Sequence, residues 1–407
     1  MNILIINKFL YPRGGDAIIA LGTGRLLEER GHRVAFWGMD HPLNPEYPLK
    51  ENFVTQVDYD KPGGILKQLK TASNLIYSRE ATRKLKKVLL AEKPDIVHLH
   101  NFAHQISPSV LDVLKEFEIP SVMTVHDFKL VCAAYSLLVR GRICEKCAGG
   151  RHYHCFLNKC AKNSRTKSLL STAEMYLHHQ ILHSYDKINF FISPSKFHLN
   201  KIGEMGFKGP MVHLPNFVEL DGYMPAYASE EDSIVYFGRL IEEKGLLSLL
   251  EAMKEIDGIT LKVLGDGPQR EVLEARARNL GLENIQFLGY RTGDDLKNEI
   301  KKSKFFILPS LCYENNPRSI IEGFALGKPA VASAIGGIPE LVKDQITGLT
   351  FRAGDVGDLA AKIKFLVKAP DQVEEMGKRA RVYVEEELTA DKYYQGLMEI
   401  YRQARLS

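Results

Sequence analysis

Glu314 and Glu322 stand with seven residues between them in the segment LPSLCYENNPRSIIEGFALGKPAVAS. Glu314 and Asn315 read as loop, Asn316 and Pro317 as a cap and a helix-opening proline, and Ser319 onward as a helix to Leu326. The backbone amides at Arg318 and Ser319 then lead that helix, a place that suits a phosphate. One carboxylate lies ahead of those amides and the other about two turns inside the helix, and carboxylates accept hydrogen bonds from sugar and ribose hydroxyls. Two cations come earlier: Arg239 in FGR, after a β-type run, and Lys244 in EEKG, before a helical one. Both can reach one diphosphate. A leaving diphosphate gains negative charge as a glycosyl bond breaks, and fixed cations stabilise that charge. A nucleotide sugar has these parts in this order.

Other residues are placed for supporting roles. Gly14 and Gly15 in YPRGGDA follow the first apolar run where a strand-to-helix turn exposes amides to an anion or a sugar; a plain tight turn accounts for them equally. Gly238 in FGR, and Gly265, Asp266 and Gly267 in LGDGP, permit close approach of backbone to a ligand, and Gly336-Gly337 make a further turn. His126, after the run Val122-Val125, emerges at a strand end, with Asp127 beside it to orient the ring or cap the loop. Five of the six cysteines fall in residues 128–167: Cys132, then Cys144-x2-Cys147-x7-Cys155-x4-Cys160 with His152 and His154 inside. Cys144, Cys147, Cys155 and Cys160 have the ligand types and tight spacing of a structural zinc site; reduced buried thiols and disulfides are the alternatives.

Short β-rich runs alternate with longer amphipathic stretches, the pattern of βαβ units around parallel sheets, and the chain shows it twice. Strands are predicted at 3–6, 34–37, 96–99, 122–125, 190–192 and 212–214, and again at 234–237, 261–264, 285–288, 305–308, 330–332 and 349–351. The fold class is therefore α/β, two Rossmann-like doubly wound domains facing across a cleft, where such sheets bind ligands. The first domain spans 1–215 with the cysteine-rich insertion at about 128–167. The linker is 216–233 and the second domain 234–387, with a helix at 388–407 that crosses back to the first domain.

Composition removes several classes. At 407 residues, 45% hydrophobic and 26% charged, the chain is long enough for two or three domains and unlike a disordered or fibrous protein. No apolar run reaches about eighteen residues, so no membrane-spanning helix is predicted. The opening MNILIINKFLYPRGG lacks a basic leader and a small-residue cleavage site, so a cytoplasmic location is expected. A net charge of +4 gives no reason to expect nucleic acid, but residues 1–222 hold 29 Lys+Arg against 21 Asp+Glu and the remainder 25 against 29. The basic, apolar-interleaved stretch at 61–93 can lie on an anionic membrane or pack as an ordinary surface helix. Neither a G-x-G-x-x-G turn at a helix opening nor a G-x-x-x-x-G-K-[ST] loop is present, against dehydrogenases and P-loop enzymes.

Five blocks in order, FLYPRGG, TVHD, FGRLIEEKG, LGDGP and the E-x7-E segment followed by IGGIPELV, resemble the retaining family-4 glycosyltransferases of GT-B fold. That resemblance implies a UDP- or GDP-sugar as donor and a glycan or lipid-linked saccharide as acceptor, in cell-surface polysaccharide synthesis. It implies that Arg239 and Lys244 hold the diphosphate, that His126 touches the transferred sugar, and that Gly265 to Gly267 line the nucleobase pocket. It also implies a front-face route in which the departing phosphate oxygen takes the acceptor proton. No D-x-D pair sits at a predicted strand end, so no catalytic metal is expected. A nucleotide-sugar epimerase of the same shape and a non-catalytic nucleotide-sugar-binding protein are the alternatives.

Overall fold

The computed structural model describes residues 1–56, 74–104 and 106–407. Contacts divide the chain into two units: Met1–Leu137, Cys144–Leu214 and Tyr394–Ser407 form the first, and Leu138–Ile143 with Pro215–Tyr393 form the second.

The first unit is built on a parallel sheet of β1 (Asn2–Ile6), β2 (Arg33–Trp37), β3 (Ile96–Leu99), β4 (Ser121–Thr124), and two later strands, β7 (Phe190–Ser193) and β8 (Met211–His213). A short antiparallel hairpin intervenes, β5 (Leu138–Val139) with β6 (Arg142–Ile143). The order across the six-stranded sheet is β2-β1-β3-β4-β7-β8, so the winding reverses between β1 and β3. The strand cores are apolar because helices cover both faces; the buried polar groups within their runs of Ile, Val, Leu and Phe are His98 on β3 and, at strand ends, Ser121, Thr124 and Ser193.

The second unit holds β9 (Ser233–Phe237), β10 (Thr260–Leu264), β11 (Ile285–Gly289), β12 (Phe306–Leu308), β13 (Ala330–Ser333) and β14 (Gly348–Phe351). Their order is β11-β10-β9-β12-β13-β14, all parallel, with the reversal between β9 and β12. Successive side chains of β9 enter opposite cores: Ile234 and Tyr236 one, Val235 and Phe237 the other. All twelve predicted strands are found within a residue or so of their expected positions.

The segment between β4 and β7 is longer than its cysteine-bearing part. It carries the hairpin, the helix Tyr153–Asn158 and a further helix Arg165–Tyr176. The last helix, Ala390–Leu406, places Tyr394 onward in the first unit, where Tyr401 Oη lies 2.7 Å from His98 Nδ1 and Tyr394 Oη 2.9 Å from His32 Nε2. Of the basic stretch at 61–93, Lys61, Lys67 and Lys70 lie outside the described residues. Its helix Arg79–Glu92 buries Ala81, Leu85, Val88 and Leu89, while Lys84 pairs with Glu80 and Lys86 with Glu116. Among the described residues no helix is long and apolar enough to cross a membrane.

Candidate functional site

In a doubly wound sheet the loops leaving the two strands at the reversal diverge, and the crevice they leave is the usual ligand site. In the second unit those strands are β9 and β12. β9 delivers Gly238 and Arg239; β12 delivers Ser310 to Glu314. Lys244 lies in the short 3-10 turn Glu242–Lys244, and its ammonium stands 2.5 Å from Glu314 Oε1. Ser310 Oγ donates to the same oxygen at 2.5 Å. Burial pushes the Glu314 carboxyl up, but the Lys244 ammonium, the Ser310 hydroxyl and the charge of Arg239 outweigh it and hold the group below the usual carboxylate range. Glu314 is an anion clamped beside two cations. Arg239 itself is exposed, its carbonyl held by Tyr236 Oη at 2.8 Å. The Cys312 thiol is pushed up to about 12, first by burial and then by Glu314, so it is an uncharged packing group.

Glycine makes this loop packing possible at two points. Gly265 (φ +153°) passes so close to Gly238 that a Cβ would lie 1.9 Å from the Gly238 carbonyl oxygen. Gly336 (φ +63°) lies against Glu314, where a Cβ would fall 2.4 Å from its carbonyl oxygen, and the next amide, Gly337 N, donates to that oxygen at 2.7 Å. Asp266 is exposed and caps its own turn through Gly267 N at 2.7 Å.

The helix after β12 spans Arg318–Ala325, with Pro317 as its N-cap rather than its first turn. Glu322 accepts from Arg318 Nε at 2.8 Å and from Tyr223 Oη at 3.3 Å. Asn316 is buried: its Oδ1 accepts from Asn216 N and its carbonyl from Asn216 Nδ2, both at 3.2 Å, which ties the 215–233 segment to the helix start. Glu314, Lys244 and Ser310 are thus brought together, with Arg239 close enough to act on Glu314. Glu322 belongs to a separate trio with Arg318 and Tyr223, an i,i+4 pairing visible in the spacing.

The first unit has its own cluster at its own reversal. β1 leads to Lys8 and β3 to His100 and Asn101, with Lys8 N bonded to Asn101 O and His100 N to Ile6 O at 2.8 Å. The helix Gly15–Glu29 opens from extended Gly14, and Asp16 in its first turn accepts from Asn101 Nδ2 at 3.0 Å. Burial raises the Asp16 carboxyl, but His126, Lys8, the Ala17 amide and Asn101 bring it below its usual value. His126 follows β4, half-buried, with Nε2 2.9 Å from His100 Nδ1; burial lowers its basicity and Asp16 opposes that. Asp127 caps the loop by accepting from Lys129 N at 2.8 Å. A small recess is lined by His100, Asn101, Phe102, His126, Asp127 and Lys129. Lys8, Asp16, His100 and Asn101 escaped the sequence analysis because only sheet register brings them to His126.

The cysteine segment differs from expectation. All six cysteines are free thiols, and no group of three or more His, Cys, Asp or Glu among the described residues is placed to hold a metal ion. The zinc anticipated at Cys144, Cys147, Cys155 and Cys160 therefore has no ligand set. The sulfurs are engaged otherwise: Cys155 with Cys160 and with Thr172, and Cys132 with the amides of Leu137 and Ala134. Cys155 packs with Ala133 and Met175 in a small apolar cluster. Nearby, Lys129 and Glu174 form a fully buried ion pair.

Two parallel-sheet α/β units of these strand orders have the GT-B architecture. Residues 13–221 match the glycosyltransferase family 4 model and residues 225–383 the model for glycosyl transferases group 1. The chain belongs to glycosyltransferase family 4. It is 24% identical over 405 residues to the N-acetyl-alpha-D-glucosaminyl L-malate synthase of Bacillus anthracis, covering 96% of this chain and 94% of that one. It is 27% identical over 169 residues to an uncharacterised glycosyltransferase of Methanocaldococcus jannaschii, a match that spans 42% of this chain and 47% of that relative, about half its length. Sucrose-phosphate synthase from Thermosynechococcus elongatus superposes with a TM-score of 0.72 at 19% identity, and Anabaena HepE, solved with UDP and glucose, with 0.68 at 18%; each comparison covers 98% of both chains. At that identity the superpositions show the fold.

Proposed function

We propose that this chain is a retaining, metal-independent glycosyltransferase that moves one sugar from a nucleotide diphosphate sugar to a glycan or lipid-linked saccharide. The observation that carries the reading is the β9/β12 crevice, where Arg239 and Lys244 converge on Glu314 ahead of the helix at Arg318. HepE, similar in fold, was solved with UDP and glucose, which favours a UDP-sugar as the first donor to try.

In this mechanism the donor's diphosphate lies against Arg239, Lys244 and the amides of Arg318 and Ser319. Glu314 holds Lys244 in place, and Glu322 and Asn315 serve donor hydroxyls. Gly265, Asp266 and Gly267 border the nucleobase, and His126 bonds to the transferred sugar. As the bond between the sugar's anomeric carbon and the phosphate oxygen breaks, negative charge on the diphosphate grows and the two cations stabilise it. The acceptor oxygen bonds to the anomeric carbon on the face the leaving group departs from, and its proton passes to the departing phosphate oxygen. The products are the glycosylated acceptor and a nucleoside diphosphate.

The test is nucleoside diphosphate release from a panel of UDP- and GDP-sugars with polysaccharide-precursor acceptors, in EDTA. Acceptor-dependent release in EDTA supports the reading. Donor conversion without any acceptor overturns it in favour of an epimerase. The protein is then cytoplasmic, and with a lipid-linked acceptor its basic first unit docks on anionic lipid; vesicle sedimentation with no preference for anionic lipid removes that last part.

A further inference from the structure

Three imidazoles stack across β3 and β4 of the first unit. His98 and His100 have ring centroids 4.3 Å apart at 26°, and His100 and His126 5.2 Å apart at 20°. His98 is fully committed, with Nδ1 to Tyr401 Oη at 2.7 Å and Nε2 to Thr124 Oγ1 at 2.8 Å. His100 is fully buried, shares a proton between its Nδ1 and His126 Nε2, and leaves its own Nε2 buried without a partner among the described residues. Burial keeps both His100 and His126 neutral near pH 7.

Only two proton arrangements fit a neutral pair. In one, His126 Nε2–H donates to His100 Nδ1; the His100 proton must then sit on Nε2, as a buried N–H with nothing to accept it. In the other, His100 Nδ1–H donates to His126 Nε2, and His100 Nε2 is a bare lone pair. Buried donors without partners are rarer in proteins than under-used acceptors, so the second arrangement is the more stable. It leaves one place for the proton of His126.

We propose that His100 is a positioning residue that fixes His126 as its Nδ1–H tautomer, so that His126 enters the recess as a hydrogen-bond donor to an oxygen of the bound sugar and not as a base. The tautomer follows from the first unit alone; its use on a sugar rests on the function proposed above. Lys8, Asp16, Asp127 and Lys129 are the charged groups around the pair, and none of them bonds to His100.

The experiment is long-range proton–nitrogen correlation on the full chain with nitrogen-15 histidine, His126 being assigned by the signals lost in His126→Gln. Wild type is expected to show His126 with a protonated Nδ1 and a bare Nε2. His100→Phe removes the donor and is expected to shift His126 toward the Nε2–H form and to lower kcat about 10–100-fold, the usual range for losing an orienting partner. His100→Asn, whose amide nitrogen stands where Nδ1 stood, is expected to restore the tautomer and most of kcat. An Nε2–H form in wild type, or a tautomer unmoved by His100→Phe, overturns the proposal. If the tautomer is as stated but His126→Gln keeps full turnover, the assignment stands and the sugar contact fails.

Discussion

Lys244 and Glu314, seventy residues apart, form a 2.5 Å ion pair at the point where the second sheet reverses its winding. On the proposed function the pair keeps an anion inside a cluster that receives a diphosphate, which sounds self-defeating. There it holds the Lys244 ammonium in place, and the exposed Arg239 supplies the second cation. Arg239→Ala is therefore expected to lower turnover about 10²–10³-fold with the circular dichroism of the chain unchanged. Near-normal turnover with donor and acceptor saturating would contradict the role.

Gly336→Ala places a methyl group against the Glu314 carbonyl in a backbone region L-residues avoid. Gly281 has a similar φ, +67°, with open space around it. Gly281→Ala should cost about 1–2 kcal/mol, the left-handed strain alone, and Gly336→Ala clearly more, with loss of activity. Urea denaturation followed by circular dichroism compares them. Equal costs would show that the Glu314 loop yields without penalty.

Lys129 and Glu174 are buried to 6% and 1% side-chain exposure. Removing one partner strands a charge, so Glu174→Leu or Lys129→Met should each cost about 3–5 kcal/mol, and the two changes combined much less than their sum. The single tryptophan, Trp37, is fully buried in the first unit, so its fluorescence reports that unit's unfolding. Additive costs would mean the two charges act independently.

Burial lowers the imidazoles of His98 and His179 to about 3 and those of His152 and His198 to about 4. Above the ordinary histidine value of about 6.5 these groups are neutral folded or unfolded, and their full contribution is present. As pH falls from there toward 3–4 the unfolded chain binds protons that the folded one refuses. Stability drops by about 1.4 kcal/mol per pH unit for each such histidine. The urea midpoint by Trp37 fluorescence should fall between pH 7 and pH 5, less steeply in His198→Asn. A flat midpoint would mean these rings take up protons while folded.

Much of the fold was legible. Hydrophobic runs such as Ile234–Phe237 mark strands because both sheet faces are covered, and the Arg318–Glu322 pairing follows from helical spacing. What escaped depended on register and long-range pairing. Nothing near Asn316 shows that it binds Asn216 a hundred residues away, and nothing near His126 shows His100, which reaches it because β3 and β4 are neighbours. Cysteine spacing misled for a related reason: it fixes which sulfurs can meet, while the backbone amides and Thr172 around Cys132 and Cys155 decide what they bind.

On the proposed function the β9/β12 cluster grips a diphosphate by its own cations. Calorimetric titration of UDP and GDP into the full chain in EDTA measures it directly. At least one of the two is expected to bind without metal, and Arg239→Ala and Lys244→Ala each to weaken it tenfold or more, about 1.4 kcal/mol. Binding that needs added Mg²⁺, or an affinity that neither substitution changes, would contradict it.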